Sequence, residues 1–168
     1  HTKRYGLGLL SRSLLGWTCG FYDFDLDGDE DLFIVNGHVY PEASYETVDS
    51  DRLQPMLLLE RVGNRFVQVK QQEVFRDRAA VFGDLDNDGD IDIVIAQRSG
   101  DVRVLQNDRN FVGMSDRGDP LTIQLQGSDM NTKGLGATLH LTLDDGSVMT
   151  KWNTDGCGFQ SSISSSVQ

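Results

Sequence analysis

The sequence predicts an all-β fold, and three observations carry that expectation. Short runs rich in β-branched and aromatic residues recur along the 168-residue chain, bounded by Gly, Asn and Asp, which is the composition of strands between turns. One acidic stretch occurs twice: Asp23 to Asp31 (DFDLDGDED) returns 61 residues later as Asp84 to Asp92 (DLDNDGDID), with every aspartate and the glycine at the same place. About four strands fall within one repeat, which is the content of one propeller blade. The expected architecture is a partial β-propeller of two blades followed by a small β domain.

The elements follow in chain order. Residues 1–15 carry basic residues and leucines, but Ser11, Arg12 and Ser13 interrupt the run and no small-residue cleavage site follows, so it does not read as a signal peptide. The chain begins with His, and the expectation is a fragment whose amino terminus and targeting signal lie upstream. Gly20-Phe21-Tyr22 precedes the first acidic loop and Leu32 to Val35 follows it. Ala80-Val81-Phe82 and Ile91 to Ala96 flank the second, so each loop joins two strands. His38 to Gln54 is polar, contains Pro41 and reads as a surface insertion. Met56 to Glu60 and Asn64 to Val69 read as a hairpin turning at Val62-Gly63, and Val102 to Leu105 as another strand. Beyond Gly118, Leu121 to Leu125 and Ala137 to Leu143 alternate, Asp144-Asp145-Gly146-Ser147 is a turn, and Val148 to Trp152 is the return strand. The serine-rich tail, Ser161 to Gln168, is expected to fray.

The loops need a cation. A hard dication such as calcium takes six to eight oxygen ligands, and aspartates separated by one residue can fold inward around it. Positions one, three and five (Asp23, Asp25 and Asp27; Asp84, Asp86 and Asp88) offer side-chain oxygens. Position six is glycine for the sharp turn. Position seven, Asp29 or Asp90, offers its backbone carbonyl and leaves its carboxylate facing water, while position nine, Asp31 or Asp92, closes the shell. Two calcium sites are therefore expected. Position twelve is Ile34 or Ile95, not the bidentate glutamate of an EF-hand. Carboxylates about 5 Å apart at an effective dielectric near 20 repel by about 3 kcal/mol per pair, so without a counter-charge such loops are costly to close.

Charge points the same way. The net charge is −11, from 26 acids and 15 bases. The two loops hold eleven of those acids, so the remaining acids balance the bases. No basic stripe exists to neutralise phosphates, which argues against a nucleic-acid partner. No apolar run approaches the ~20 residues of a membrane span. Cys19 alternates with Trp17 and Phe21, which favours a buried small thiol over a disulfide to Cys157. Acidic loops without sensor architecture suit the high calcium outside the cytoplasm, so a secreted or extracytoplasmic location is expected.

The acidic loops with their strands resemble FG-GAP or VCBS repeats, the calcium-bearing blades of integrin-like β-propellers. Almost the whole chain resembles the ASPIC/UnbV group, relatives of cartilage acidic protein, through Gly16 to Pro41, Arg78 to Ala96 and Gly127 to Leu141. The resemblance implies FG-GAP/VCBS repeats over 1–113 and an ASPIC/UnbV-like β domain over 114–168. Asp119-Pro120-Leu121 stands where the family carries an Asn-His-Trp-Leu type run, and the chain ends before the family's closing Phe-Gly-Leu-Gly type segment, so that domain is expected to be truncated. Two blades cannot close a propeller, which typically has four to eight, and the remaining blades are expected upstream.

Other motifs carry less. His38 and Tyr40 are chemically able to do acid-base work, but a turn with surface packing is the favoured reading. Arg117-Gly118-Asp119 is an adhesion-type tripeptide in which coincidence is favoured. Trp17 and Trp152 read as core or interface anchors before sugar platforms. The function expected is a non-enzymatic module for protein or glycan binding and adhesion, with structural calcium. The alternative is part of a secreted polysaccharide-processing enzyme whose catalysis lies outside the calcium loops.

Overall fold

The computed structural model describes residues 2–39, 53–69, 73–98, 100–107, 118–154, 158–159, 161 and 166–167. The described residues are all-β: no helix occurs among them, and none is long and apolar enough to cross a membrane.

After turns over 2–13, β1 (Gly16–Tyr22) and β2 (Asp31–Asn36) bracket the first acidic loop. Then come β3 (Gln54–Pro55), β4 (Leu57–Val62) and β5 (Arg65–Val69), giving an antiparallel sheet in the order β1-β2-β4-β5. The β4-β5 hairpin closes on the pair Val62 and Arg65 over Gly63-Asn64, one residue later than expected. The reason is Gly63, whose φ of 60° suits the turn and not the strand end. The second unit follows as β6 (Val74–Phe75), β7 (Asp77–Gly83), β8 (Asp92–Gln97) and β9 (Arg103–Leu105). Here β6 pairs with β3, and the sheet order is β7-β8-β9.

The sequence repeat is a structural repeat. In both units the inner pair meets at the loop ends, Tyr22 opposite Asp31 and Gly83 opposite Asp92. Both first strands slip register at the same step, between Gly16 and Thr18 and between Asp77 and Ala79. Leu59 lies opposite Leu32 and Leu105 opposite Ile93, so the return strand comes 27 residues later in the first unit and 12 in the second. The difference is the insertion, whose residues 40–52 lie outside the described set. Its end is not a surface feature: Gln54 is buried, with its Oε1 accepting from Leu15 N at 2.8 Å.

The core lies between the two sheets. Phe33, Val35, Met56 and Leu58 of the first meet Ala80, Phe82, Ile93 and Ile95 of the second, with Phe24 and Ile91 from the loops. Phe33 and Phe82 meet edge-on with ring centroids 5.8 Å apart, and Tyr22 stacks on Phe82 at 4.6 Å. The other face of the first sheet, Leu32, Leu57 and Leu59, is covered by Leu7, Leu10 and Leu14 from the opening turns. Strand β2 is thus covered on both faces, which its unbroken Leu32 to Val35 run requires. Gly37 sits where β2 ends against β7: a Cβ there would lie 2.9 Å from the Arg76 Cα. Because that obstacle is backbone, Gly37→Ala is expected to destabilise by about 1–3 kcal/mol, read as a lower urea midpoint with an unchanged slope.

One burial expectation is overturned. Cys19 is an exposed, free thiol, and Thr18 and Gly20 are the buried residues of β1. The face of β1 that meets the second sheet must be small, since Thr18 Oγ1 bonds Arg78 O at 3.2 Å and a Cβ on Gly20 would lie 2.9 Å from Phe82 Cε2. Cys157 lies outside the described residues. The region beyond Gly118, a third zone after the two units, contains β10 (Ile123–Gln124), β11 (Thr138–Thr142), β12 (Val148–Trp152) and β13 (Ser166–Val167). β11 and β12 form the expected hairpin. β10 is shorter than the alternation suggests, and it pairs with β13, so part of the tail forms a strand instead of fraying.

Candidate metal centre

Strands β1 and β2, and β7 and β8, fix the two ends of each acidic loop, and the chain between them reverses through left-handed backbone. Leu26 and Asn87 at position four have φ of 61° and 63°, and Gly28 and Gly89 at position six have 93° and 90°. Glycine adopts these angles freely and asparagine tolerates them, whereas leucine is strained by about 1–2 kcal/mol. Leu26→Asn is therefore expected to stabilise the protein by about 1 kcal/mol in thermal unfolding.

The reversal folds backbone amides over the carboxylates in the same pattern twice. Asp23 accepts from Asp27 N at 3.1 Å and Gly28 N at 3.0 Å, and Asp84 accepts from Asp88 N at 3.2 Å and Gly89 N at 3.1 Å. Asp27 Oδ1 accepts from Asp29 N, and Asp88 Oδ1 from Asp90 N, each at 2.9 Å. The side chains converge as a result. One oxygen from each of Asp23, Asp25 and Asp27 lies within 4.8 Å of the others, as do those of Asp84, Asp86 and Asp88. These two clusters can hold a metal ion. An all-carboxylate donor set suits a hard cation, so the residues fit the group the sequence calls for.

Electrostatics shows the strain such a cation would relieve. Burial pushes the Asp23 carboxyl up to about 6, against the Gly28 amide, and Asp27 and Asp25 push it further the same way. Burial likewise pushes Asp31 up to about 7, with the charges of Asp25 and Asp23 adding to it and the Arg61 and Phe24 amides opposing it.

Asp29, Asp31, Asp90 and Asp92 are not members of the two converging triads. Asp31, only 1% exposed, accepts from Phe24 N at 3.2 Å and Arg61 N at 2.8 Å. Asp92, equally buried, accepts from Leu85 N and Asn107 N, both at 2.8 Å. Each position-nine carboxylate therefore ties the loop to the return strand of its own sheet. Position seven departs from expectation. Asp90 is 2% exposed, and Asp29 is half-buried because Arg61 of the return strand lies alongside it, Nε 3.7 Å away.

Sequence spacing missed the residues that reach the loops from afar. Glu60 and Gln106 occupy the same step of the two return strands. Glu60 is held above its usual range by burial and by the charges of Asp25, Asp27 and Asp29 in the first loop, while Gln106 Nε2 donates to Asp86. Asn107 Nδ2 donates to Phe24 O at 2.8 Å, joining the second unit to the first loop. The sequence carries no signal for the match of Glu60 with Gln106, because the return strands come 27 and 12 residues after the inner ones; only the strand pairing aligns the two.

The remaining candidates scatter. The His38 carbonyl accepts from Arg78 Nη2 at 2.9 Å in a turn held by arginines, and Tyr40 lies outside the described residues. Gly118 of the tripeptide is pinned through its amide to Leu26 O at 2.7 Å, and Arg117 lies outside the described set. Trp17 is an anchor: its Nε1 donates to Gly37 O at 2.8 Å, with Arg78 over its ring at 4.5 Å and Phe159 against its edge at 5.0 Å. Trp152 is 64% exposed. No protein-family model, curated protein or solved structure matches the chain.

Proposed function

We propose that this chain is a calcium-stabilised, extracytoplasmic piece of a β-propeller of FG-GAP/VCBS type with an ASPIC/UnbV-like β domain. It serves as a non-enzymatic module for binding a protein or glycan. The observation that supports the reading is the twofold recurrence of one loop geometry: three converging carboxylates over two left-handed backbone positions, each loop tied by a ninth-position aspartate to its own sheet. In the first loop a bound calcium would compensate the Asp23 charge that burial makes unfavourable. Asp23, Asp25 and Asp27 would hold one ion, and Asp84, Asp86 and Asp88 the other. The extracytoplasmic placement follows from where such loops find enough calcium.

Calorimetric titration of chelator-stripped protein is expected to show two calcium ions bound. At a free concentration a hundred times the dissociation constant, each site is expected to add about 2.7 kcal/mol of stability, read as a higher melting temperature. Asp25→Ala is expected to remove one site and leave the other. Equal melting with calcium and with chelator, and no heat of binding, would refute the metal reading.

A further inference from the structure

The third zone rests on both acidic loops. Gly118 N donates to Leu26 O, position four of the first loop, at 2.7 Å. Two residues on, the Pro120 ring covers Gly89, position six of the second loop, so closely that any Cβ there would clash with Pro120 Cγ. Farther along, β12 covers the first loop: a Cβ on Gly28 would meet Met149 Sδ at 3.9 Å, and Lys151 Nζ donates to Glu30 Oε1 at 3.0 Å. One short strap therefore touches two loops that are 61 residues apart in sequence.

We infer that the two loops form a cation-operated seat for the strap 118–120 and the β11–β12 hairpin. The inference rests on the metal reading above. Apart from Glu30, the loop residues that the strap and hairpin contact are left-handed positions, Leu26, Gly28 and Gly89. Those positions are held by carboxylates drawn inward onto the amides of positions five and six. Mutual repulsion of the carboxylates works to open that arrangement, and charge compensation works to keep it closed. An opened loop carries Leu26 O away from Gly118 and Gly89 away from Pro120, and the segment loses its seat. Linkage makes the coupling reciprocal: docking of the strap and hairpin tightens ion binding by the same factor that ion binding favours docking.

Hydrogen exchange on the whole chain, in calcium and in chelator, reads the docking, and calorimetry reads the ions. Amides of residues 121–125 and 137–152 are expected to exchange at least about tenfold more slowly in calcium, beyond any slowing in β2 and β8. Met149→Ser and Pro120→Ser are expected to weaken calcium binding about fivefold or more, although neither residue belongs to the carboxylate triads and neither carries a charge. Two bound ions with unchanged exchange in these segments would overturn the inference and leave the metal reading standing. Unaltered calcium affinity in both variants would also overturn it. Absence of any bound ion would overturn the metal reading itself, and the inference with it.

Discussion

Asp31→Ala is expected to destabilise the protein by about 2–6 kcal/mol, because it strands two backbone donors at once. The Phe24 and Arg61 amides lose their acceptor in a place that water does not reach freely, and each such donor costs about 1–3 kcal/mol. The substitution also cuts the link from loop to return strand, so the loss is larger than that of a surface aspartate, which is usually within about 0.5 kcal/mol. Asp31→Asn keeps one carbonyl acceptor and is expected to lose roughly half as much. Urea unfolding of the three proteins checks the order, and Asp92→Ala tests the same tie in the second unit. Wild-type stability in Asp31→Ala would show that the two amides find other partners.

Phe33→Ala is expected to cost about 3–5 kcal/mol, the range for removing a buried aromatic ring. Phe33 is 0% exposed at the centre of the inter-sheet core, against Phe24 and Phe82. Its neighbours come from β7 and from the first acidic loop, so two separate elements would have to shift to fill the cavity. Phe33→Leu keeps most of the apolar volume and is expected to cost much less. The measurement is the denaturant midpoint at fixed slope. A loss under about 1 kcal/mol would mean that the sheets close over the gap.

Much of the fold was legible because its information is local. Alternation and turn residues placed the inner strands of both units and the β11–β12 hairpin, and the doubled aspartate spacing located both clusters. What the spacing left open was non-local. Whether Cys19 or Thr18 faces inward depends on which side of β1 meets the second sheet, and period-two alternation fixes only the alternation. The partial burial of Asp29 and the work of Asp31 depend on a return strand that the loop sequence does not contain. Asn107 reaches Phe24 across 83 residues, and Pro120 covers Gly89 through no motif at all. Such contacts are set by how the sheets and the third zone come together, which a single sequence does not encode as a local pattern.

The shared register slip in β1 and β7 has a mechanical meaning. An added residue at the same step bends and twists both hairpins alike. The two units are thereby expected to bend alike where they bury a common core. The excursion between inner and outer strands lies away from that step, so a long connection in the first unit and a short one in the second leave the shared bend unchanged.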